Sequence, residues 1–319
     1  MTKTLTLISL ACSLALIGCA NTETASKKST PSTAEASFNK MAPSSKFDLL
    51  GWTISVPVDS NGDGKSDQIK EKELASGYSD KNFFYLAEDG GMVFKAPIAG
   101  AKTSNNTTYT RSELREMMRR GDTQFKTKGV GGNNWVFSSA PEADQKLAGG
   151  VDGTLEATLK VDHVTTTGEN WQLGRVIIGQ IHANNDEPIR LYYRKLPQHQ
   201  KGSIYFAHEP RVGEEIWINM LGTSLPNYWN QNVTVTEPED GIELGEKFSY
   251  RINVTGNTLT VTLMRAGKED IIKTVDMSDS QFDESGQYMY FKAGVYNQNK
   301  SGEPDDYVQA TFYDLVVTH

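Results

Sequence analysis

Arg111, Glu113 and Arg115 alternate through R-S-E-L-R-E, and Gln180 and His182 flank a single isoleucine in Q-I-H. Y-F-K-A-G-V-Y-N-Q, residues 290–298, repeats the device with Tyr290, Lys292, Gly294, Tyr296 and Gln298 at alternate positions. Wound into a helix, these side chains would scatter round the axis; on strands of period two, each set shares one face. I-R-L-Y-Y-R adds Arg190, Tyr192 and Arg194 by the same count. The opposite faces belong to the core: Leu114, Ile181 with Ile177 before it, and Phe291, Ala293 and Val295. Arginine, lysine, glutamine, histidine and tyrosine together form a surface that holds anions, offers hydrogen bonds and carries groups able to move a proton. Glu113 is its main acid. The chain carries a formal charge of −8 over 319 residues, which excludes a general affinity for nucleic acid; a polyanion must meet a local basic groove.

Such a surface exists only if these strands are neighbours in one sheet. The rest of the chain reads the same way. G-M-V-F-K-A, G-T-L-E-A-T-L-K-V, F-S-Y-R-I-N-V, T-L-T-V-T-L and Y-V-Q-A-T-F-Y-D-L-V-V are β-rich runs, with turn residues in E-D-G-G (88–91) and T-G-N (255–257). The best helix candidate, 69–77, is short. Many short strands without β–α alternation specify an all-β sandwich or barrel.

R-S-E-L-R, Q-I-H and Y-F-K-A-G-V-Y-N-Q, in this order and at roughly these spacings, resemble the three signature blocks of the alginate lyases of polysaccharide lyase family 7. The resemblance runs from about Phe47 to His319 and shows no departure within the blocks. It implies a β-jelly roll whose concave sheet forms a cleft for an acidic polymer of mannuronate and guluronate, with no cofactor required. It also implies a catalytic set of Arg111, Gln180, His182 and Tyr296, with Glu113, Arg115 and Lys292 lining the cleft. Arg190, Tyr192 and Gln298, on the same faces, are added as substrate-binding candidates.

The chemistry so implied is β-elimination. The proton on carbon 5 of a uronate is abstracted, the oxygen on carbon 4 leaves, and the product carries a carbon 4–5 double bond. The obstacle is the weak acidity of a proton beside a carboxylate, and donors pre-aimed at that carboxylate lower it, each worth about 10²–10³ in rate. Arg111 offers a fixed fork and Gln180 an amide. His182 suits a base near neutral pH or a donor to the carboxylate, and Tyr296 an acid. Beside Lys292 and the arginines, Tyr296 is expected to titrate lower than usual and to share the base role. Glu113 reads as an ion-pair organiser for Arg111. A non-catalytic alginate-binding jelly-roll module on the cell surface would need the arginines and aromatics but no His182–Tyr296 pair. A glycoside hydrolase needs two carboxylates about 5–10 Å apart, commonly in E-x-D-x-x-E, and no such run occurs. In the family, isoleucine at the middle of Q-I-H accompanies activity on guluronate-containing blocks, so Ile181 implies that preference.

Other residues carry weaker signals. Trp52, Trp135, Trp171, Trp217 and Trp229 read as core, and His163, His199, His208 and His319 as incidental. Asp59, Asn61, Asp63 and Asp67 are spaced like the first part of a calcium loop, but Lys70 stands where an EF-hand places its bidentate glutamate. A polar turn is the expectation drawn from them, with a structural calcium as the weaker alternative.

Residues 1–18 read as a lipoprotein signal peptide: Lys3, an apolar run from Leu5 to Ile17, then L-I-G-C, which resembles a bacterial lipobox. Cys19 would carry the lipid, and 19–45, rich in Ser, Thr, Ala and Lys, would be a flexible tether ahead of the domain at 46–319. Both cysteines, Cys12 and Cys19, lie in this segment, so the mature domain is expected to have neither disulfide nor thiol catalysis. Ala20 follows Cys19 with no Asp, so an outer-membrane lipoprotein facing the periplasm or the cell surface is expected, as a monomer.

Overall fold

The computed structural model describes residues 42–224 and 235–319. The lipobox, Cys19, the tether as far as residue 41, and Trp229 lie outside the described residues.

Alternating sequences become strands with one face inward. The eleven residues of β8 (Gly153–His163) bury every second side chain over most of their length, and β14 (Phe248–Thr255) does the same. These two belong to a seven-stranded antiparallel sheet in the order β16 (Ile271–Asp276), β15 (Thr258–Met264), β14, β8, β18 (Tyr307–Thr318), β4 (Met92–Pro97), β3 (Phe84–Leu86). The other sheet has nine strands. Its order is β12 (Ile216–Leu221), β11 (Lys201–His208), β10 (Ile189–Arg194), β9 (Arg175–His182), β17 (Tyr290–Asn297), β5 (Arg111–Glu116), β1 (Trp52–Val56), β2 (Asp67–Ile69), with β13 (Ile242–Glu243) also pairing with β11. A short parallel pair, β6 (Trp135–Val136) and β7 (Gly150–Val151), stands apart. The all-β sandwich expected from the sequence is the observed architecture, and the three signature blocks are β5, β9 and β17, adjacent in one sheet.

Between the sheets lies one apolar layer. Leu114, Ile181, Phe291 and Val295 enter it from the nine-stranded sheet, and Phe94, Leu159, Ile252 and Phe312 from the other, all fully buried. Each contributes about 1.5–3 kcal/mol on leaving water. Trp52 and Trp135 are core as expected; Trp135 lies against Phe291 with ring centroids 5.0 Å apart.

Ile177 departs from the expected pattern. The pairing of β9 with β10 slips between Leu191 and Tyr192, and that with β17 between Ala293 and Tyr296. Such bulges break the strict two-residue period. Ile178 therefore joins Ile181 in the core, while Ile177 moves to the outer face beside Tyr192, Tyr205 and Tyr296. Gly294 sits in the slipped stretch at φ 132°, where a Cβ would lie 2.6 Å from the Ser112 carbonyl oxygen, so only glycine fits.

The helix read at 69–77 is present as Glu71–Ala75. A second, Glu142–Leu147, buries none of its residues, so no apolar period announced it. The four histidines read as incidental all have partners. His319 Nε2 is 2.7 Å from Glu116 Oε1, and His208 Nε2 is 2.8 Å from Ser280 Oγ. His163 and His199 contact the carbonyls of Tyr307 and Val235. The 59–67 run joins β1 to β2. Asp59 accepts from the amides of Asp63 and Gly64 at 3.0 and 2.9 Å, and Asp63 from that of Lys65 at 2.9 Å. This is how a polar turn caps itself.

Candidate active site

Glu113 organises the site. It is 2% exposed, and its carboxylate accepts from Arg111 Nη1 at 2.8 Å, from Gln180 Nε2 and from Lys292 Nζ. The strand register makes this possible. Lys292 lies opposite both Arg115 and Gln180, Gly294 opposite Glu113, and Tyr296 opposite Arg111. Burial alone would push the Glu113 carboxyl up; Lys292, Arg111 and Gln180 outweigh it and hold the group below the usual carboxylate range. Lys292 is moved the other way. Burial and then Arg111 lower it to about 8, against the pull of Glu113.

Tyr296 stands beside this cluster. The Arg111 guanidinium lies 3.7 Å from its ring centroid, and Tyr109 meets it edge-on at 6.2 Å. The expected fall in its pKa does not occur. Burial raises the phenol above 10, and Arg111 offsets only part of that rise. A phenol so placed stays protonated at neutral pH.

His182 is held on three sides. Nδ1 is 2.6 Å from the carbonyl oxygen of Ala183, Nε2 is 3.2 Å from Glu187 Oε1, and the ring stacks on Tyr290 at 5.1 Å and 11°. A carbonyl only accepts, so Nδ1 carries the hydrogen and Nε2 the lone pair. Burial, with Lys292 next in weight, lowers His182 from 6.5 to about 4. The imidazole is therefore neutral at pH 7.

The remaining candidates are placed less centrally. Arg115 donates to the Thr127 carbonyl at 2.6 Å and lies 4.0 Å over the Tyr290 ring. Arg190 is surrounded by Glu187 at 3.5 Å, Glu209 at 3.3 Å, and Glu215. Tyr192 stacks on Tyr205 at 5.1 Å in an aromatic group that also holds Trp217, with Arg175 5.3 Å above Tyr192. Gln298 turns back to the Asn297 carbonyl, and Arg194 donates to the carbonyls of Leu173 and Asn170. The structure thus brings Arg111, Glu113, Gln180 and Lys292 into contact, sets Tyr296 and His182 beside them, packs Tyr192 into the cluster that Tyr296 lies against, and leaves Arg194 and Gln298 outside.

Glu187, Tyr205 and Arg175 were not singled out in the sequence, and Tyr290 was placed on the functional face without a role. Trp217, read as core, is 37% exposed on the edge strand β12, and Trp171 donates to Glu169 at 2.7 Å. The signal for Glu187 was its place five residues beyond His182, in the turn from β9 to β10, where a hairpin folds back on its own strand.

A family model for alginate lyases matches residues 47–319. An alginate lyase of Klebsiella pneumoniae is 72% identical over 280 residues, covering 87% of this chain and 91% of that protein. The crystal structure of an alginate lyase from Klebsiella pneumoniae, also 72% identical, superposes with a TM-score of 0.86 over 87% of this chain and 98% of that one. An alginate lyase from Pseudomonas aeruginosa, 26% identical, gives 0.62 over 86% of this chain and 100% of that one. An exolytic alginate lyase of polysaccharide lyase family 7 from Zobellia galactanivorans, 24% identical, gives 0.65 over 87% and 97%, a likeness of fold. That fold is the β-jelly roll, and this chain shares it.

Proposed function

The chain belongs to the alginate lyase family, and from that premise we propose how its own residues do the chemistry. The protein is a polysaccharide lyase that cleaves the 1,4-glycosidic bond of alginate by β-elimination, leaving a 4,5-unsaturated uronate end. The family match and the identity speak for a catalyst and against a non-catalytic binding module.

One observation carries the assignment of roles: a single buried carboxylate, Glu113, gathers Arg111, Gln180 and Lys292 beside a neutral histidine and a protonated tyrosine. Arg111, Gln180 and Lys292 would face the uronate carboxylate and stabilise the charge that develops as carbon 5 loses its proton. His182 Nε2 would take that proton. As the carbon 4–oxygen bond breaks, Tyr296 would protonate the departing oxygen. Its raised pKa favours this acid role over the shared base role read from the sequence. A bound uronate beside His182 would pull the imidazole pKa back up from about 4, which improves it as a base when substrate is present. Alginate block polymers incubated with the protein should develop the ultraviolet absorbance of a conjugated uronate. Binding without absorbance would overturn the assignment.

Three finer expectations belong to the same reading. Guluronate-containing blocks should be cut faster than polymannuronate, through the stand-off that buried Ile181 gives the strand carrying Gln180 and His182. A lipid on Cys19 should tether a monomeric enzyme to the outer membrane, and Cys19→Ser should release it or leave the precursor uncut. Recovery of wild-type protein wholly in the medium, without lipid, counts against that tether. Calcium at the 59–67 turn would appear as a rise in melting temperature on adding the ion.

A further inference from the structure

We propose that Glu187 occupies the substrate's place at His182 in the free enzyme and is exchanged for the sugar on binding. The inference rests on the reading of His182 as the base. Nδ1 of that ring is committed to the Ala183 carbonyl at 2.6 Å, so whatever His182 does to a substrate it does through Nε2. The space in front of Nε2 is already taken by Glu187 Oε1 at 3.2 Å. The ring cannot swing to a new partner without losing its stack on Tyr290 at 5.1 Å.

Glu187 has somewhere to go. Its other oxygen lies 3.5 Å from Arg190 Nη1, and Arg190 faces a row of acids completed by Glu209 and Glu215. With the ring hydrogen on Nδ1, the Glu187 carboxylate stands against the Nε2 lone pair as an occupant of that space, with no proton between them. When the sugar arrives, Glu187 moves to Arg190 alone, and the Nε2 lone pair is freed for the carbon 5 proton. The charged and titratable groups around the ring are Lys292 and Tyr290 from β17, Arg111 and Glu113 from β5, and Glu187 from the turn, with Arg190 of β10 behind Glu187. Of these, only Glu187 meets Nε2 itself among the described residues. Binding therefore includes the release of an internal competitor, and the apparent affinity falls by the fraction of enzyme whose seat is filled.

The test uses diethyl pyrocarbonate, which acylates an unoccupied imidazole lone pair, with peptide mapping by mass spectrometry to read His182 separately from the other histidines. In Glu187→Ala, His182 should react about fivefold faster than in the wild-type protein, as it would with the seat filled in roughly four-fifths of the free enzyme. Buried His208 serves as the folding control and should react equally in both. The KM for alginate should fall by about the same factor, with kcat changed less. In Glu187→Gln, whose amide can donate to Nε2, His182 should stay shielded. Equal His182 reactivity in wild-type and Glu187→Ala overturns the proposal. So does an equal fall of KM in Glu215→Gln, which removes a charge on the far side of Arg190. His182→Ala tests the underlying reading alone: turnover retained in that variant would refute His182 as the base, while the acylation result would still stand.

Discussion

Two charge clusters lie side by side across β9 and invert each other. Around Glu113, two cations and an amide converge on one buried carboxylate; around Arg190, three carboxylates converge on one half-buried guanidinium. Gln180 and Arg190, directly opposite in the strand register, mark the border. The first cluster leaves positive charge and donors to spare, which is what a uronate carboxylate needs. The second leaves negative charge, which repels it. An anionic chain laid over this sheet is thus drawn to one side of His182 and discouraged on the other. Composition alone, acidic throughout, hides the division.

The comparison breaks first at the chemical groups. Arg111→Ala and Tyr296→Phe should each lower turnover by at least about a hundredfold, because each removes a transition-state donor or proton carrier; near-full activity of Tyr296→Phe on every block type would show that another group protonates the leaving oxygen.

Next comes the asymmetry in stability. Glu113→Ala strands Arg111 and Lys292 as buried charges and should cost about 3–5 kcal/mol in denaturant unfolding. Glu215→Ala, at a partly exposed pair, should cost less than about 1 kcal/mol. Similar losses at both would mean that the clusters are not opposites after all.

A pH series sharpens the contrast further. Lys292, lowered to about 8, should lose its charge as pH rises through that value, and kcat/KM on alginate should fall there. His182, lowered from 6.5 to about 4, binds fewer protons folded than unfolded between those values. Stability it contributes is present above about 6.5 and is lost as pH falls toward 4. A His182→Asn variant that melts with an unchanged acid limb would remove that group from the account.

The smallest effect is at Ile181. Ile181→Val should cost roughly 0.5–1.5 kcal/mol and shift the ratio of rates on polyguluronate and polymannuronate. An unchanged ratio in the folded variant would move block preference to the loops.

Much of this was legible in the chain. The alternation of Arg111, Glu113 and Arg115 needs only the two-residue period of a strand, and the cross-strand set with Lys292 and Tyr296 follows once the blocks are neighbours. Ile177 was not legible, because a bulge, absent from any periodic rule, turns it outward. Glu187 escaped because a hairpin turn, not a period, brings it back to His182. Trp217 owes its exposure to β12 being the last strand of its sheet, a matter of topology. The direction of the Tyr296 shift depended on weighing burial against Arg111, and burial is not written in a motif.

The placing of β17 between β5 and β9 bears on how the enzyme comes into being. Its two neighbours emerge from the ribosome long before it, and until residues 290–297 arrive they present open edges to a vacant slot. Sheets closed by such distant segments fold slowly, on the order of milliseconds to seconds. The strand that fills the slot also carries Lys292 and Tyr296. A nascent or truncated chain therefore has no catalytic centre to misuse, and activity begins only when the central sheet is complete.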